Sequence, residues 1–225
     1  NIRFFCGDLN WTEDKVPSYF SKLQVIFGNA DFRNITNSLG LESLQSIKGN
    51  ALFHSLKNAE LISSLQNIEG DAYFYRLTSA KGLESLQNIG GNAYFDRLTS
   101  AEGLTSLQQI AGDANFDKIT NAKGLESLQN IGRNAYFDSL TSAKGLESLQ
   151  NIGGDAYFYS LIRAEGLDSL QHIGKNAYFP SLLNAIGLDS LQIIEGAATF
   201  FRLKSSLGLS KLQKIGETVL FDNLT

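Results

Sequence analysis

A 21-residue repeat dominates this sequence and limits what the chain can fold into. The segment from Leu83 to Gly103 reads LESLQNIGGNAYFDRLTSAEG, and the segments that begin at Leu104 and Leu125 are edited copies of it. A phenylalanine recurs at this interval without insertion or deletion, at Phe32, Phe53, Phe74, Phe95, Phe116, Phe137, Phe158, Phe179, Phe200 and Phe221. Trp11 occupies the same position one repeat before Phe32. Such a chain stacks copies of one short unit, so we expect an elongated solenoid.

Two periodicities occur inside each copy. Ala93 and Phe95 alternate with outward-facing neighbours, which predicts a short strand over NAYFD. Leu83, Leu86 and Ile89 are three residues apart, which predicts a 3₁₀ turn or one turn of α-helix on the opposite face. A strand followed by a crossover predicts parallel neighbours. We therefore expect an α/β, β-rich solenoid with about eleven strands, one in each coil.

Polar and glycine positions in the repeat are interpreted as structural. Gly90, Gly91 and Gly103 are expected to adopt positive φ where the chain turns. The glutamine at Gln87 and its counterparts is predicted to be a buried or half-buried amide that satisfies backbone groups. An Asn/Asp series lies just before each predicted strand and is interpreted as turn residues rather than metal ligands. Its members are Asn29, Asn50, Asp71, Asn92, Asp113, Asn134, Asp155 and Asn176.

The domain prediction is one repeat solenoid over residues 1–225. Residues 1–19 form a diverged first coil or partial cap, and residues 20–225 carry the regular repeats. Pro17 lies in the stretch TEDKVPSYFSK, which lacks the pattern. Repeat arrays need polar caps, and no C-terminal cap is recognisable. We therefore expect the array to continue beyond Thr225 or to pack end to end with another copy.

Composition disfavours several classes of function. A net charge of −4 and a pI near 5.2 argue against nucleic acid as a partner. No apolar run approaches the length of a transmembrane helix, so membrane insertion is not expected. One cysteine, Cys6, excludes an internal disulfide framework. No signal peptide is visible in this chain, and we expect a soluble protein of the cytoplasm or a cell surface.

Catalytic constellations are absent from the sequence pattern. The two histidines, His54 and His172, occupy different positions of the repeat and are predicted to lie several coils apart on different faces. The recurring serine has no base beside it, and Cys6 has no partner for nucleophilic catalysis. No nucleotide-binding or metal-binding motif occurs. The sequence therefore predicts a protein that is not an enzyme and has no cofactor.

The phrases LQNIGGNAYF and LTSAKGLESL resemble leucine-rich repeats. They are most similar to repeat arrays of uncharacterised bacterial and phage proteins, with a relation to the L-domain type of repeat. The resemblance covers residues 20–225 and implies a solenoid with strands on one face and recognition of a protein or glycan. Leu98 and its counterparts replace the asparagine of the common LxxLxLxxN motif, and Ala93 replaces a strand leucine.

An outward-facing aromatic and charged stripe is the candidate binding surface. The slot between Ala93 and Phe95 is tyrosine in five copies, and in these central copies the two slots after Phe95 include tyrosine, aspartate and basic residues. Tyrosine offers a large contact area at low entropic cost, and aromatic rows also stack on sugars. Stacking between neighbouring coils explains the same pattern, since cross-strand pairs stabilise a sheet. The candidate residues are Tyr73, Tyr75, Tyr94, Asp96, Arg97, Asp117, Tyr136, Asp138, Tyr157, Tyr159 and Tyr178.

Two functional hypotheses follow from the sequence. The first is a non-enzymatic recognition module that binds a protein, or alternatively a glycan, along the tyrosine-bearing face. The second is a structural spacer or self-assembling rod within a larger protein, in which copies associate end to end. The unbroken register of the repeat motivates this second hypothesis.

Overall fold

Residues 2–222 are described by the structure, which is a computed structural model. They wind into a parallel β-solenoid in which strands of neighbouring coils pair exactly one repeat apart, as Ala93 pairs with Ala114. Each of the two sheets contains eleven parallel strands, which confirms the predicted solenoid. The predicted ends of the domain, at residue 1 and at residues 223–225, lie outside the described residues.

The described part of the chain has one helix and 22 strands of two residues each. The helix is a 3₁₀ helix at Ser18–Phe20. The strands are β1 (Phe4–Phe5), β2 (Leu9–Asn10), β3 (Val25–Ile26), β4 (Ala30–Asp31), β5 (Ser46–Ile47), β6 (Ala51–Leu52), β7 (Asn67–Ile68), β8 (Ala72–Tyr73), β9 (Asn88–Ile89), β10 (Ala93–Tyr94), β11 (Gln109–Ile110), β12 (Ala114–Asn115), β13 (Asn130–Ile131), β14 (Ala135–Tyr136), β15 (Asn151–Ile152), β16 (Ala156–Tyr157), β17 (His172–Ile173), β18 (Ala177–Tyr178), β19 (Ile193–Ile194), β20 (Ala198–Thr199), β21 (Lys214–Ile215) and β22 (Val219–Leu220).

Two sheets divide these strands. The even-numbered strands form the sheet that carries Ala93–Tyr94, which we call the tyrosine sheet, and the odd-numbered strands form the sheet that carries Asn88–Ile89, which we call the amide sheet. The prediction of one strand per coil is corrected to two. The second strand pairs through its backbone, since the Gly90 N–H donates to the Ile68 carbonyl at 2.8 Å. Its inward–outward alternation spans too few residues to be recognised in the sequence.

The remainder of each coil is a series of tight turns. The Leu83 N–H donates to the Ala80 carbonyl, and the Leu86 N–H donates to the Leu83 carbonyl, both at 3.0 Å. Each i→i+3 hydrogen bond begins where the previous one ends, so the turns follow one another without merging into a helix. Every third side chain therefore points inward, as the leucine spacing predicted.

The core is the same in every complete coil. A phenylalanine stack runs along its axis, and the Phe95 and Phe116 rings lie 5.2 Å apart with planes 10° from parallel. Such ring pairs contribute about 0.5–1.5 kcal/mol beyond the area they bury. All seven predicted core residues of the reference coil are 0–1% exposed: Leu83, Leu86, Ile89, Ala93, Phe95, Leu98 and Ala101.

The Asn/Asp series forms a continuous ladder beside the tyrosine sheet. The Asn92 Oδ1 accepts the Asp113 N–H at 2.7 Å, and the Asp113 Oδ1 accepts the Asn134 N–H at 2.9 Å. The ladder runs from Asp8 to the backbone of Ala197. Its structural role is thus confirmed, although each side chain bonds to the next coil rather than to its own turn. This arrangement satisfies a backbone donor that the two-residue strands leave unpaired.

Two expectations about turn residues are wrong. Gly103 has φ 120° as predicted, whereas Gly90 and Gly91 are not among the positive-φ residues. A Cβ at Gly91 would overlap the Asp71 side chain in the preceding coil, although Arg133 and Lys175 occupy the equivalent position in later coils. Gln87 and most of its counterparts are exposed rather than buried, since the side chain points away from the core.

The N-terminal coil keeps the register and partly covers the core. Strand β2 pairs with β4, so Trp11 takes the place of the recurring phenylalanine. Its ring packs edge-on against Phe20 of the 3₁₀ helix at 5.7 Å, and its Nε1 donates to the Lys15 carbonyl at 2.8 Å. Lys15 and Phe20, which follow Trp11 in the chain, thus contact the first coil.

Candidate functional site

A column of tyrosines covers the outer face of the tyrosine sheet. In β4 to β20 of this sheet the alanine faces the core and the next residue faces outward, because successive side chains of a strand alternate. In-register pairing then brings equivalent residues together, as Tyr73 and Tyr94 show. Their rings stack 4.9 Å apart with planes 11° from parallel. The predicted cross-coil stacking is therefore present.

The column consists of two runs with one interruption. Tyr73 and Tyr94 form the first run, and Tyr136, Tyr157 and Tyr178 form the second. The ring pairs of the second run are also 4.9 Å apart, with planes 6° and 3° from parallel. Asn115 occupies the intervening position, and its Oδ1 accepts the Asp117 N–H at 3.3 Å. The aromatic surface is thus divided at one coil.

The phenol groups lean towards the Asn/Asp ladder. The Tyr73 hydroxyl donates to Asp71 Oδ2 at 3.0 Å, and the Asn134 amide donates to the Tyr136 hydroxyl at 3.2 Å. Desolvation, together with neighbouring acids, raises the pKa of Tyr73 to about 12, and the pKa of Tyr157 is likewise about 12. These tyrosines stay neutral at physiological pH and can serve as aromatic surfaces or hydroxyl donors.

A second column lies beside the tyrosines. It begins with His54 and Tyr75, whose rings are 4.9 Å apart, and its far end holds Tyr159, 5.8 Å from the Tyr157 ring. Between these aromatic ends lie three aspartates on successive coils: Asp96, Asp117 and Asp138. The surface therefore has two aromatic patches with an acidic strip between them.

The three aspartates are poorly solvated. In each of them the Oδ1 atom is buried and has no hydrogen-bond partner among the described residues. Desolvation raises the pKa of Asp96, Asp117 and Asp138, and for Asp117 the neighbouring carboxylates add to the effect. Lys118 acts in the opposite direction on the pKa of Asp117 and Asp138. A cation brought to this strip would offset the cost of keeping these carboxylates charged.

Basic residues border the acidic strip without neutralising it. Arg97 and Lys118 are exposed and follow Asp96 and Asp117 in the chain. None of the salt bridges found within residues 2–222 includes the three aspartates. The strip is thus available to an external positive group.

All eleven sequence-predicted site residues lie on this one side of the solenoid. Tyr73, Tyr94, Tyr136, Tyr157 and Tyr178 are in the tyrosine column, and Arg97 is at its edge. The second column holds the remaining candidates, which are Tyr75, Asp96, Asp117, Asp138 and Tyr159.

Two further residues belong to this surface and were not candidates from the sequence. Asn115 separates the two tyrosine runs. Asp113 was interpreted only as a turn residue, although it lies two positions before Asn115 and therefore on the same side of the strand. That spacing of two was the sequence signal that could have identified it.

The outer face of the amide sheet differs in chemistry. Its column contains four asparagines, which bond to one another in pairs: Asn88 Nδ2 donates to Asn67 Oδ1 and Asn151 Nδ2 to Asn130 Oδ1, both at 2.9 Å. His172 lies in this column, on the other sheet from His54. The two histidines are therefore separated, as the sequence predicted.

Open depressions occur at the turn side of the solenoid. One of about 340 Å³ is lined by Thr141, Ser142, Lys144, Arg163 and Glu165. Another, of about 390 Å³, lies on neighbouring coils and also includes Lys123 and Glu147. Lys123 forms a salt bridge with Glu102 at 2.7 Å beside this depression. Part of the charge that lines the depression is therefore already neutralised within the chain.

Two structural features are absent from residues 2–222. No helix there is long and apolar enough to cross a membrane. No group of three or more His, Cys, Asp and Glu side chains there is arranged to hold a metal ion.

No protein-family model matches the chain, and no curated protein matches its sequence significantly. The function is therefore inferred from the geometry and chemistry of the surface described above.

Proposed function

We propose that this protein is a non-enzymatic recognition module that binds a segment of a partner protein along the tyrosine sheet. The observation that carries the proposal is the combination of two stacked tyrosine runs with three desolvated aspartates between them. Aromatic rings supply contact area at low entropic cost, and unpartnered carboxylates supply a charge that a partner can match.

The comparison with the amide sheet supports this choice of face. The asparagine side chains of that sheet are hydrogen-bonded to one another, so a partner would have to compete with bonds already made. On the tyrosine sheet the three aspartates make no such side-chain bonds, and a positively charged partner would offset the cost of keeping their desolvated carboxylates charged. Binding at the tyrosine sheet therefore costs less desolvation and gains more.

A peptide-display selection tests the proposal. Peptides would be selected on the wild-type protein and measured on a triple variant with Tyr94→Ala, Tyr136→Ala and Tyr157→Ala. We expect selected peptides to bind at least about tenfold more weakly to the triple variant, since aromatic anchors dominate such interfaces. The matched control changes Asn88, Asn130 and Asn151 to alanine on the amide sheet and should leave the affinity unchanged.

Several outcomes would contradict the proposal. Peptides that bind both triple variants equally, or no enriched peptide at all, would remove the support for this face. A glycan array is run in parallel. A glycan that binds the wild type and not the tyrosine variant would replace the protein by a glycan as the partner. Circular dichroism verifies folding, and the single variant Tyr136→Ala serves if the triple variant does not fold.

The second candidate function is a spacer or self-assembling rod. In-register parallel pairing favours it, because an identical coil could continue both sheets at an open strand edge. Light scattering over a range of concentrations tests this function, and a strict monomer at the highest concentration would contradict it.

The finer assignments from the sequence motifs are also proposals. We propose that the coils are a variant of the leucine-rich repeat, with bacterial or phage relatives, and that the protein acts in the cytoplasm or at a cell surface. The phrases LQNIGGNAYF and LTSAKGLESL support the kinship. The two short strands per coil would make this chain a departure from the strand pattern that the resemblance implied.

A further inference from the structure

The interruption of the tyrosine column leaves a slot between two rings. Tyr94 and Tyr136 lie two coils apart, with Asn115 on the coil between them. The rings are therefore separated by about 10 Å, which is twice the usual strand spacing. Each of these two rings stacks nearly parallel to its neighbour on the side away from the gap. In-register pairing through Asn115 therefore leaves one face of each ring towards the gap. The slot has the width that one more stacked ring would fill.

Asn115 does not project into this space as a tyrosine would. Its Oδ1 accepts the Asp117 N–H at 3.3 Å, so the amide is turned along its own strand. The side chain forms the floor of the slot, and the Tyr94 and Tyr136 rings form its walls.

Carboxylates lie at both ends of the slot. Asp113 and Asp117 precede and follow Asn115 by two residues, so all three side chains are on the outer side of the strand. In the coil that contains Tyr73, the phenol donates to Asp71 Oδ2, but Asn115 has no hydroxyl to offer Asp113. The Asp117 Oδ1 is buried without a hydrogen-bond partner. The slot therefore combines aromatic walls with an unusually acidic surround.

We propose that this slot binds the guanidinium group of an arginine presented by the partner protein, stacked between Tyr94 and Tyr136 and attracted by the charge of the adjacent Asp117 carboxylate. A guanidinium is planar, stacks on aromatic faces and carries a positive charge that offsets the cost of keeping a desolvated carboxylate ionised. A lysine ammonium matches the charge but not the plate-like shape. A neutral aromatic ring matches the shape but leaves the carboxylates unpaired. This inference rests on the proposed function, because it assumes that a protein segment binds this face.

A titration with small probes tests the slot directly. The full chain would be titrated with N-acetyl-arginine amide while amide chemical shifts are followed by NMR. The comparison probes are the corresponding derivatives of citrulline, which is planar and neutral, of lysine, and of tyrosine. We expect saturable shifts at Tyr94, Asn115, Asp117 and Tyr136 with the arginine probe, and at least about fivefold weaker binding of the other three.

Two variants probe the same site from the protein side. Asn115→Tyr fills the slot with the residue that the column has elsewhere, and it should abolish the saturable shifts. Asp117→Asn keeps the shape and should weaken binding about threefold to fivefold, the range for one partly exposed ion pair. Thr199→Tyr is the matched control, because it adds a tyrosine to the same column away from the slot and should leave binding unchanged.

The inference is overturned if citrulline or tyrosine derivatives bind as tightly as the arginine derivative, or if the shifts lie outside the slot. It is also overturned if Asn115→Tyr binds arginine normally. These results are separable from the peptide selection. Peptides that depend on the tyrosines but bind Asn115→Tyr equally well would disprove the arginine slot and leave the proposed function standing. Arginine binding without any tyrosine-dependent peptide would disprove the proposed function and leave the arginine slot standing.

Discussion

The outer faces of the two sheets are formed by the same repeat, but the side chains of neighbouring coils interact differently on each face. On the amide sheet, Asn88 bonds to Asn67, and only the Ser46 hydroxyl among the described side chains of that face is buried without a hydrogen-bond partner. On the tyrosine sheet, the rings stack, but Asp96, Asp117 and Asp138 each retain a buried oxygen without a hydrogen-bond partner. Native proteins rarely leave such groups unsatisfied without a functional reason. The difference identifies the tyrosine sheet as the face more suited to an external partner.

Both columns are interrupted on the same coil. Gln109 replaces asparagine on β11, and Asn115 replaces tyrosine on β12. The run of asparagines in the amide column is broken at Gln109, whereas the tyrosine column has a slot at Asn115. One coil thus allows the two faces to be compared by paired substitutions.

Substitutions in the core beneath the tyrosine sheet should destabilise the protein more than substitutions beneath the amide sheet. Phe116 stacks between Phe95 at 5.2 Å and Phe137 at 5.5 Å, so Phe116→Ala should lower the free energy of unfolding by about 3–5 kcal/mol. Ile110→Val beneath the amide sheet should lower it by about 0.5–1.5 kcal/mol. Urea denaturation measures both. Equal losses would mean that the phenylalanine stack does not dominate the core.

The Asn/Asp ladder should contribute more to the free energy of unfolding than the amide column. Asp113→Ala removes the acceptor for the Asn134 N–H and should cost about 1–3 kcal/mol, because a half-buried donor is left unpaired. Asn88→Ala removes one bond between side chains and should cost about 0.5–1.5 kcal/mol. Denaturation curves of the two variants are compared with Asp113→Asn, which keeps the acceptor and should be close to wild type. A large loss in Asp113→Asn would show that charge, rather than the hydrogen bond, matters at this position.

Completing either column should stabilise the fold. Asn115→Tyr adds a ring between Tyr94 and Tyr136 and should raise the free energy of unfolding by about 0.5–1.5 kcal/mol. Gln109→Asn restores the amide column and should raise it by about 0.2–1 kcal/mol, the range for a cross-strand pair. Both are measured by urea denaturation. If Asn115→Tyr is destabilising, the gap cannot accommodate a ring, and the arginine slot loses its geometric basis.

The acidic strip should make a small, pH-dependent contribution. Burial and neighbouring acids raise the pKa of Asp117, so its charged form destabilises the folded state at pH 7. Asp117→Asn should therefore stabilise the protein by a few tenths of a kcal/mol at pH 7. The gain should shrink as the pH falls through the raised pKa towards 3.8, since wild-type Asp117 is then protonated when folded.

Asp31 provides a control of opposite sign for this pH dependence. The Arg33 side chain, bonded to Asp31 at 2.6 Å, lowers the pKa of this carboxyl. Its stabilising effect is present above 3.8 and is lost as the pH falls through the lowered pKa. Asp31→Asn should therefore be slightly destabilising at pH 7 and neutral in strong acid. Parallel denaturation at pH 7, 5, 4 and 3 distinguishes the two variants, and the same sign for both would contradict the electrostatic assignment.

Much of the fold was predictable because the repeat fixes it. The interval from Phe95 to Phe116 specified the coil length, and the inward residues followed from spacings of two and three. The second strand, at Asn88–Ile89, was not predictable because two residues are too few to establish a period. The exposure of Gln87 was missed because its apolar neighbours Leu86 and Ile89 point inward around a turn.

The candidate surface was predictable only in part. Alternation around Ala93 and Phe95 placed the tyrosines outward, and constant register placed them side by side. The desolvated Oδ1 of Asp117 and the ring-wide space above Asn115 depend on how side chains from three coils pack together. No single repeat contains that information.

By itself, the sequence determined the coil length, the parallel register and the identity of the core, since a strict 21-residue interval allows only one way to bury the same side chains in every coil. The tertiary structure alone decided which polar groups are satisfied. Hydrogen bonds between Asn92, Asp113 and Asn134, and the lack of them at the aspartate oxygens, arise between coils. Satisfaction of a polar atom depends on distance and direction to residues one repeat away, and these are set by packing rather than by local sequence.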